Sequence, residues 1–246
     1  MDPIVRFARD GEIARITLDS QANRNALSQR LLDELHQALD RSVGARVIVL
    51  GHAGPAFCAG ADLRERAAGL NDSTELVRAI ERIEQADAPV IAAIDGAVRA
   101  GGMGLVAACD LVVASKRSTF ACPEVRIGVA PAIVAVGLIA RCGWTALAGP
   151  LLTGDVFDAA HAHSIGLVTE TASDADDVAR RVDALCASIG HAAPGAVAAT
   201  KSLLHRPQLM ADAQRLSEQL FASDEAAEGM RAFLEKREPN WSGNER

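Results

Sequence analysis

The chain has 246 residues, 49% of them hydrophobic and 23% charged, enough for one large domain with its own core and unlike disordered or fibrous sequences. A formal net charge of −7, with no basic cluster of five or more, argues against nucleic acid as a partner. It leaves an anionic small ligand open, because a few local cations and backbone amides can hold phosphates. The longest apolar runs, Pro89–Ile94 and Ala130–Ala140, fall far short of the roughly 20 residues a membrane span needs. Asp2, Asp10 and Glu12 interrupt the start where a secretory signal would be apolar. A soluble, cytoplasmic protein without a membrane partner is expected.

In chain order, Ile13–Leu18 alternates apolar with polar residues, as a half-buried strand does. Leu27, Leu31, Leu35 and Leu39 then recur every fourth residue, which predicts a helix with Ser28 near its start. Arg46–Leu50 and Pro89–Ile94 read as buried strands. Between them Leu76, Val77, Ile80 and Ile83 mark an amphipathic helix capped by Ser73 or Asp72. Leu111–Ala114 is another short strand. From about residue 155 the pattern turns helical: Val178, Val182, Leu185 and Ile189 form one stripe. Leu216, Leu220 and Phe221 suit a second helix, and Met230, Phe233 and Leu234 a last one. An α/β core followed by a helical C-terminal part fits this order. The five cysteines (Cys58, Cys109, Cys122, Cys142, Cys186) are odd in number, lack C-x-x-C spacing and mostly have apolar neighbours, so buried free thiols are expected rather than a metal site.

Three segments carry candidate chemistry. Phe57-Cys-Ala-Gly-Ala-Asp-Leu63 and Asp95-Gly-Ala-Val-Arg-Ala-Gly-Gly-Met-Gly104 each follow a buried strand. Glycine at such points lets backbone approach a ligand, and free N–H groups at a helix start suit a developing negative charge. Turn and helix-packing glycines are the alternative. The third segment, Thr119–Gly128, places Glu124 in an apolar stretch. Desolvation there would raise its pKa, as an acid–base catalyst near neutral pH requires; a surface pair with Arg126 is the alternative. Gly102-Met-Gly-Leu-Val-Ala107 matches G-x-G-x-x-A, but six residues, Asp95 to Ala100, separate it from the preceding strand, which argues against a dinucleotide site. No G-x-S-x-G elbow accompanies the six histidines, and His161 and His163, two apart on an expected helix, make a poor metal pair.

Taken together, the chain resembles the enoyl-CoA hydratase/isomerase (crotonase) family. The likeness is carried by Asn25-Ala-Leu27, Phe57–Asp62, Gly96–Asp110, Pro123-Glu124 with Gly128, Leu152-Thr-Gly154, Gly166-Leu-Val168 and Glu228–Lys236. The resemblance implies a spiral of ββα units over residues 1–190, holding the acyl-CoA site, and a helical region over 191–246 that trimerises. It further implies that the amides of Ala61 and Gly101 bind the thioester oxygen and that Glu124 transfers protons. Backbone near Asn23, Arg24, Ala59 and Leu63 would line the CoA groove. Phe233 and Lys236 would reach a neighbouring subunit's CoA, in a homotrimer or hexamer. No cofactor is implied beyond the CoA of the substrate. Two departures stand out. Gly104 occupies the position at which two-glutamate hydratases carry their first glutamate, leaving Glu124 alone. Chemistry with one carboxylate leans towards isomerisation, whereas the wording around Gly104–Asp110 and Glu124–Pro131 leans towards a hydratase branch; hydration is slightly favoured, with 3-enoyl to 2-enoyl-CoA isomerisation or a catalytically weak acyl-CoA binder as the alternatives. Pro131–Val136 is bulkier than the glycine-rich stretch of many relatives, so the pocket wall is reshaped.

Overall fold

The computed structural model describes residues 2–70, 72–205, 219 and 223–241. Strands β1 (Val5–Asp10) and β2 (Ile13–Leu18) form an antiparallel hairpin, followed by helix α1 (Gln29–Arg41). Three similar units then run in succession. The first is β3 (Val47–His52), β4 (Ala56–Cys58), α2 (Leu63–Ala67) and α3 (Thr74–Gln85). The second is β5 (Val90–Ile94), β6 (Ala97–Arg99) and α4 (Gly101–Ala108). The third is β7 (Leu111–Ser115), β8 (Thr119–Ala121), a 3-10 turn at Pro123–Ile127, α5 (Ala132–Cys142) and α6 (Trp144–Thr153). The chain continues through β9 (Phe157–Asp158), α7 (Ala159–Ser164), β10 (Glu170–Ala172), α8 (Ala175–Gly190), α9 (Pro194–His205) and α10 (Asp224–Glu235).

Each unit gives its first strand to one sheet and its second to another. The large sheet runs β1-β2-β3-β5-β7-β10 and the small one β4-β6-β8-β9. All pairings from β2 to β10 in the large sheet, and β4 with β6 and β6 with β8 in the small one, are parallel, whereas β9 pairs antiparallel with β8. This is the spiral of ββα units expected from the sequence. Val47-Ile-Val-Leu50 and Val90–Ile94 are apolar without alternation because both faces of the large sheet are covered. One face packs in the main core with Leu31, Leu35 and Leu105. The other carries Val47, Val49, Ile91 and Val113 beneath Val178, Val182 and Cys186 of α8.

Local chemistry explains several boundaries. The Ser28 side chain accepts from the Leu31 amide and starts α1. Asp72, rather than Ser73, starts α3, its carboxylate accepting from Thr74 N at 2.7 Å. Four cysteines are buried and Cys142 is half-buried; all five are free. The expected helix at Leu216, Leu220 and Phe221 lies outside the described residues. Strands β4, β6 and β8 have three residues each, too few to show a period in sequence.

A buried ion pair holds α9 to the core. Lys201 Nζ lies 2.9 Å from Asp110 Oδ2, with side chains 5% and 7% exposed. The same ammonium donates to the carbonyls of Ile83 (2.9 Å) and Ala88 (3.1 Å). Asp110 also accepts from Val90 N at 2.7 Å and contacts His205 Nε2 at 2.8 Å. Lys201 therefore joins α9 to the end of α3 and the entry to β5. Removing one partner of such a pair strands the other charge in a dry site. Lys201→Ala should cost about 3–5 kcal/mol of stability in urea melts; a loss below about 1 kcal/mol would show the pair to be solvated.

Candidate active site

Residue pairing in the small sheet fixes where the three chemical segments meet. Ala56 pairs with Ala97 and Cys58 with Val98; Val98 pairs in turn with Phe120 and Arg99 with Ala121. Residues 59–61, 100–101 and 122–124 consequently leave the sheet side by side, at the carboxyl ends of β4, β6 and β8. Such ends are where open parallel sheets bind ligands. The Ala100 amide donates to Ala121 O at 3.0 Å, joining the second and third segments. The first and second are in van der Waals contact: a Cβ built on Gly60 would lie 2.7 Å from the Ala100 Cβ. Gly60 has φ +96°, so glycine is required there on both grounds.

Two backbone amides are available in this corner. Leu27 N donates to Gly60 O at 2.7 Å and Asp62 N donates to Leu27 O at 3.4 Å, which pins the residues on either side of Ala61. Among the described residues, no backbone hydrogen bond takes the amide of Ala61 or that of Gly101. Gly101 is the first residue of α4, where amides lack intrahelical partners. Ala100 sits just before it at φ 48° and ψ −120°, a conformation that costs a side-chain-bearing residue on the order of 1–3 kcal/mol. The Ala121 hydrogen bond and a bond from Met103 N to Ala100 O (2.8 Å) hold it there.

Supporting contacts brace the first segment. Asp62 caps α2, accepting from Arg64 N (3.0 Å) and Glu65 N (3.3 Å). Glu65 Oε2 accepts from Gln29 N at 2.7 Å, tying α2 to the start of α1. Asn25 is fully buried at φ 56°. Its amide group donates to Ala53 O (3.2 Å) and Ala56 O (2.8 Å), and its Oδ1 accepts from Ser20 N (2.6 Å). Asn25 thus fixes the approach to β4, and sequence reading gave neither it nor Ala100 a role. The signal was present for Asn25, since asparagine tolerates positive φ.

Glu124 lies in the turn after Pro123 and is half-buried. Its Oε2 is buried with no hydrogen-bond partner among the described residues. Burial raises its pKa above the ordinary carboxylate value. The surface-pair alternative fails, because Arg126 binds Asp155 and the Thr153 carbonyl instead. The neighbouring Cys122 thiol is pushed up to about 12, by burial first and by the Glu124 charge second.

Of the residues expected along the CoA groove, Asn23, Arg24 and Ala59 come together: Ala59 N donates to Arg24 O at 3.1 Å. Arg24 is exposed and left-handed (φ 56°), and Asn23 Oδ1 is buried without a partner. Leu63 is exposed at the head of α2, two residues past Ala61. Phe233, 83% exposed, lies on α10, and Lys236 caps that helix at φ 54°. Neither makes a hydrogen bond or ion pair to the three segments.

The dinucleotide fingerprint needs one correction. The gap of six residues between strand and glycines does not exist, because β6 occupies Ala97–Arg99 and α4 begins two residues later. The exclusion rests instead on packing. Gly102–Ala107 is helical and buried throughout. A Cβ on Gly102 would come within 2.6 Å of the Cys58 side chain, and one on Gly104 within 2.8 Å of Ile80. These glycines pack a helix rather than cradle a phosphate. A separate groove of about 820 Å³, lined by His52, Pro55, Gly96, Arg117 and Thr119 among others, opens at the amino ends of β4, β6 and β8, away from the amide corner.

Comparison with known proteins agrees with this architecture. Residues 8–244 match the family model described as enoyl-CoA hydratase/isomerase. The chain is 34% identical to the probable enoyl-CoA hydratase of Bacillus subtilis, over 97% of this chain and 98% of that one. Among solved structures, AtuE of Pseudomonas aeruginosa superimposes with a TM-score of 0.91 at 30% identity, covering 97% and 99% of the two chains. An enoyl-CoA hydratase from Mycobacterium avium is 44% identical with a TM-score of 0.75, covering 98% and 100%. The fold is that of the crotonases, and the chain belongs to the enoyl-CoA hydratase/isomerase family.

Two outcomes follow from this geometry. A methyl at Gly101 would approach Leu27 Cδ1 at 2.6 Å and Leu76 Cδ2 at 3.0 Å, so Gly101→Ala must shift the α4 amide. Were the Gly101 amide the oxyanion donor that the resemblance implies, a fall in kcat of roughly 10²–10³ would be expected in steady-state assays of an acyl-CoA substrate. Second, a raised folded pKa means that the folded state binds more protons than the unfolded state between the ordinary and the raised value, so stability falls as pH rises through that window. Glu124→Gln should therefore melt above the parent at about pH 8, with the gain vanishing at about pH 4 where both states are protonated. Equal melting temperatures at the higher pH would show Glu124 to be solvated.

Proposed function

We propose that this protein is an enoyl-CoA hydratase, adding water across the 2,3 double bond of a CoA thioester. The observation that carries the reading is the placement of Glu124, with a buried and unpartnered carboxyl oxygen, on the segment adjoining the Ala61 and Gly101 amides. The two amides donate to the thioester oxygen as it takes on enolate charge; backbone donors held in place by the fold act at little reorganisation cost. Water adds its oxygen to the β-carbon and gives a proton to Glu124, while the α-carbon takes a proton from the same carboxyl group. Elevation of the Glu124 pKa keeps it able both to give and to accept near neutral pH.

A second reading, isomerisation of 3-enoyl-CoA to 2-enoyl-CoA, is favoured by α4. Gly104 offers no second carboxylate, and Ile80 and Val134 fill the space beside it. In that reaction Glu124 removes a proton from the α-carbon and returns one to the γ-carbon, with no water consumed. The substrate's CoA would run past Asn23, Arg24, Ala59 and Leu63, and no resident cofactor is needed. Copies of the chain would cover the exposed apolar side chains of Val136, Trp144, Leu152, Leu204, Phe233 and Leu234, forming a homotrimer or hexamer in which Phe233 and Lys236 reach a neighbour's CoA. The native mass would then be three or six times the 25.7 kDa of one chain.

Matched 2-enoyl- and 3-enoyl-CoA panels, with products identified by mass, test the reading. Hydrated product from the 2-enoyl series supports hydration, and its absence alongside double-bond migration supports the isomerase. Glu124→Gln should lower either activity by roughly 10²–10⁴; an unchanged rate would remove Glu124 from the mechanism.

A further inference from the structure

We propose that Ala100 is a positioning residue for the thioester chemistry. Its methyl group, seated on Gly60, fixes the rotation of the Ala100–Gly101 peptide and with it the aim of the Gly101 amide. The inference rests on the functional reading above, in which the Ala61 and Gly101 amides take the thioester oxygen, and it holds for water addition and double-bond migration alike.

The backbone at Ala100 is unlike that of the other left-handed residues. Arg24 (φ 56°, ψ 42°) and Lys236 (φ 54°, ψ 42°) occupy the left-handed helical region that L-residues enter. Ala100, at φ 48° and ψ −120°, lies in a region that suits glycine and that a Cβ makes unfavourable. The rotation ψ at Ala100 orients the peptide unit that carries both Ala100 O and Gly101 N. Met103 N donates to Ala100 O at 2.8 Å, so this carbonyl points into the first turn of α4. In a trans peptide the N–H points the opposite way, and the Gly101 N–H is therefore directed out of the helix start. The preceding peptide is held separately, by Ala100 N donating to Ala121 O at 3.0 Å.

The methyl has a defined seat. A Cβ built on Gly60 would lie 2.7 Å from Ala100 Cβ and 3.5 Å from Arg99 O, so the alanine methyl fills the place that glycine leaves open at 60. Gly60 immediately precedes Ala61, and its carbonyl takes Leu27 N at 2.7 Å. Contact with Gly60 spaces the segment bearing the Ala61 amide from the segment bearing the Gly101 amide. The same Cβ narrows the ψ values open to residue 100, since sterics leave a side-chain-bearing residue little room at positive φ. A glycine at 100 would remove strain, contact and narrowing together. The two segments would stay joined all the same. Cys58 Sγ accepts from Gly60 N at 3.4 Å, and the Cys58 side chain packs against Gly102, where an added Cβ would lie 2.6 Å from Cys58 Cβ. Ala100 thus contributes aim, and Cys58 cohesion.

Ala100→Gly should therefore separate stability from catalysis, and thermal melts with steady-state kinetics on the purified protein measure both. Relief of strain should raise the melting temperature by about 2–4 °C. On whichever enoyl-CoA series the parent turns over, kcat should fall roughly tenfold, because a misaimed donor forfeits part of the 10²–10³ that a whole one carries. The fall in kcat/KM should match it with KM unchanged, as for a contact made only in the transition state. Ala100→Ser keeps the Cβ and should keep the parent's kcat. A packing role alone would instead lower the melting temperature of Ala100→Gly. Parent-like kcat in Ala100→Gly, a melting temperature no higher than the parent's, or a Ser variant as slow as the Gly variant would each overturn the proposal. Should Ala100→Ser not fold, Ala100→Gly decides by its kcat and melting temperature together. A parent that forms product from neither the 2-enoyl nor the 3-enoyl series would refute the functional reading itself, and this inference with it.

Discussion

Register in three short parallel strands is the constraint on which the rest of the structure depends. Strands β4, β6 and β8 carry only three residues each, yet their pairing decides which residues leave the sheet next to one another. A shift of one residue would exchange every inward and outward side chain, and would move the free amides away from Glu124. Much of the surrounding chemistry acts to prevent that shift. Asn25 anchors the entry to β4, Leu27 brackets Ala61, and Ala100 is held in an unfavourable conformation by β8. The large sheet and its helices supply the rigid frame, with the buried Lys201–Asp110 pair joining α9 to it.

The site departs from the most stable arrangement in two ways, both on the adjoining segments that leave the small sheet. Amides at Ala61 and Gly101 forgo backbone partners, and Glu124 holds a carboxyl oxygen where water does not reach it. An unsatisfied buried polar group costs roughly 1–3 kcal/mol, and the Glu124 oxygen is such a group. Preorganised donors and a desolvated carboxyl are the conditions under which a charge developing on a thioester is best stabilised.

Much of this was legible in the sequence because the relevant signals are local. Unbroken apolar runs marked β3 and β5, four-residue leucine spacing marked α1, and glycine clusters after buried strands marked the amide segments. The strands of the small sheet were not legible, since three residues carry no period and their identity comes from long-range pairing. For that reason the interval from Asp95 to Ala100 read as a loop, although β6 lies within it. The solvation of Glu124 was also open in sequence: only the structure shows Arg126 turned towards Asp155. Ala100 gave no warning, because alanine seldom adopts positive φ and nothing in its neighbours announces that it must.

The central claim is that two amides and one carboxyl together stabilise and protonate a thioester enolate. Solvent exchange at the α-carbon of a saturated acyl-CoA isolates that step, since neither water addition nor double-bond migration is possible there. The protein is incubated with butanoyl-CoA in deuterium oxide, and α-deuterium is followed by mass spectrometry or proton NMR. The account predicts catalysed incorporation by the parent protein and its loss in Glu124→Gln. No incorporation above the buffer rate with the parent protein, or undiminished incorporation in the variant, would contradict it.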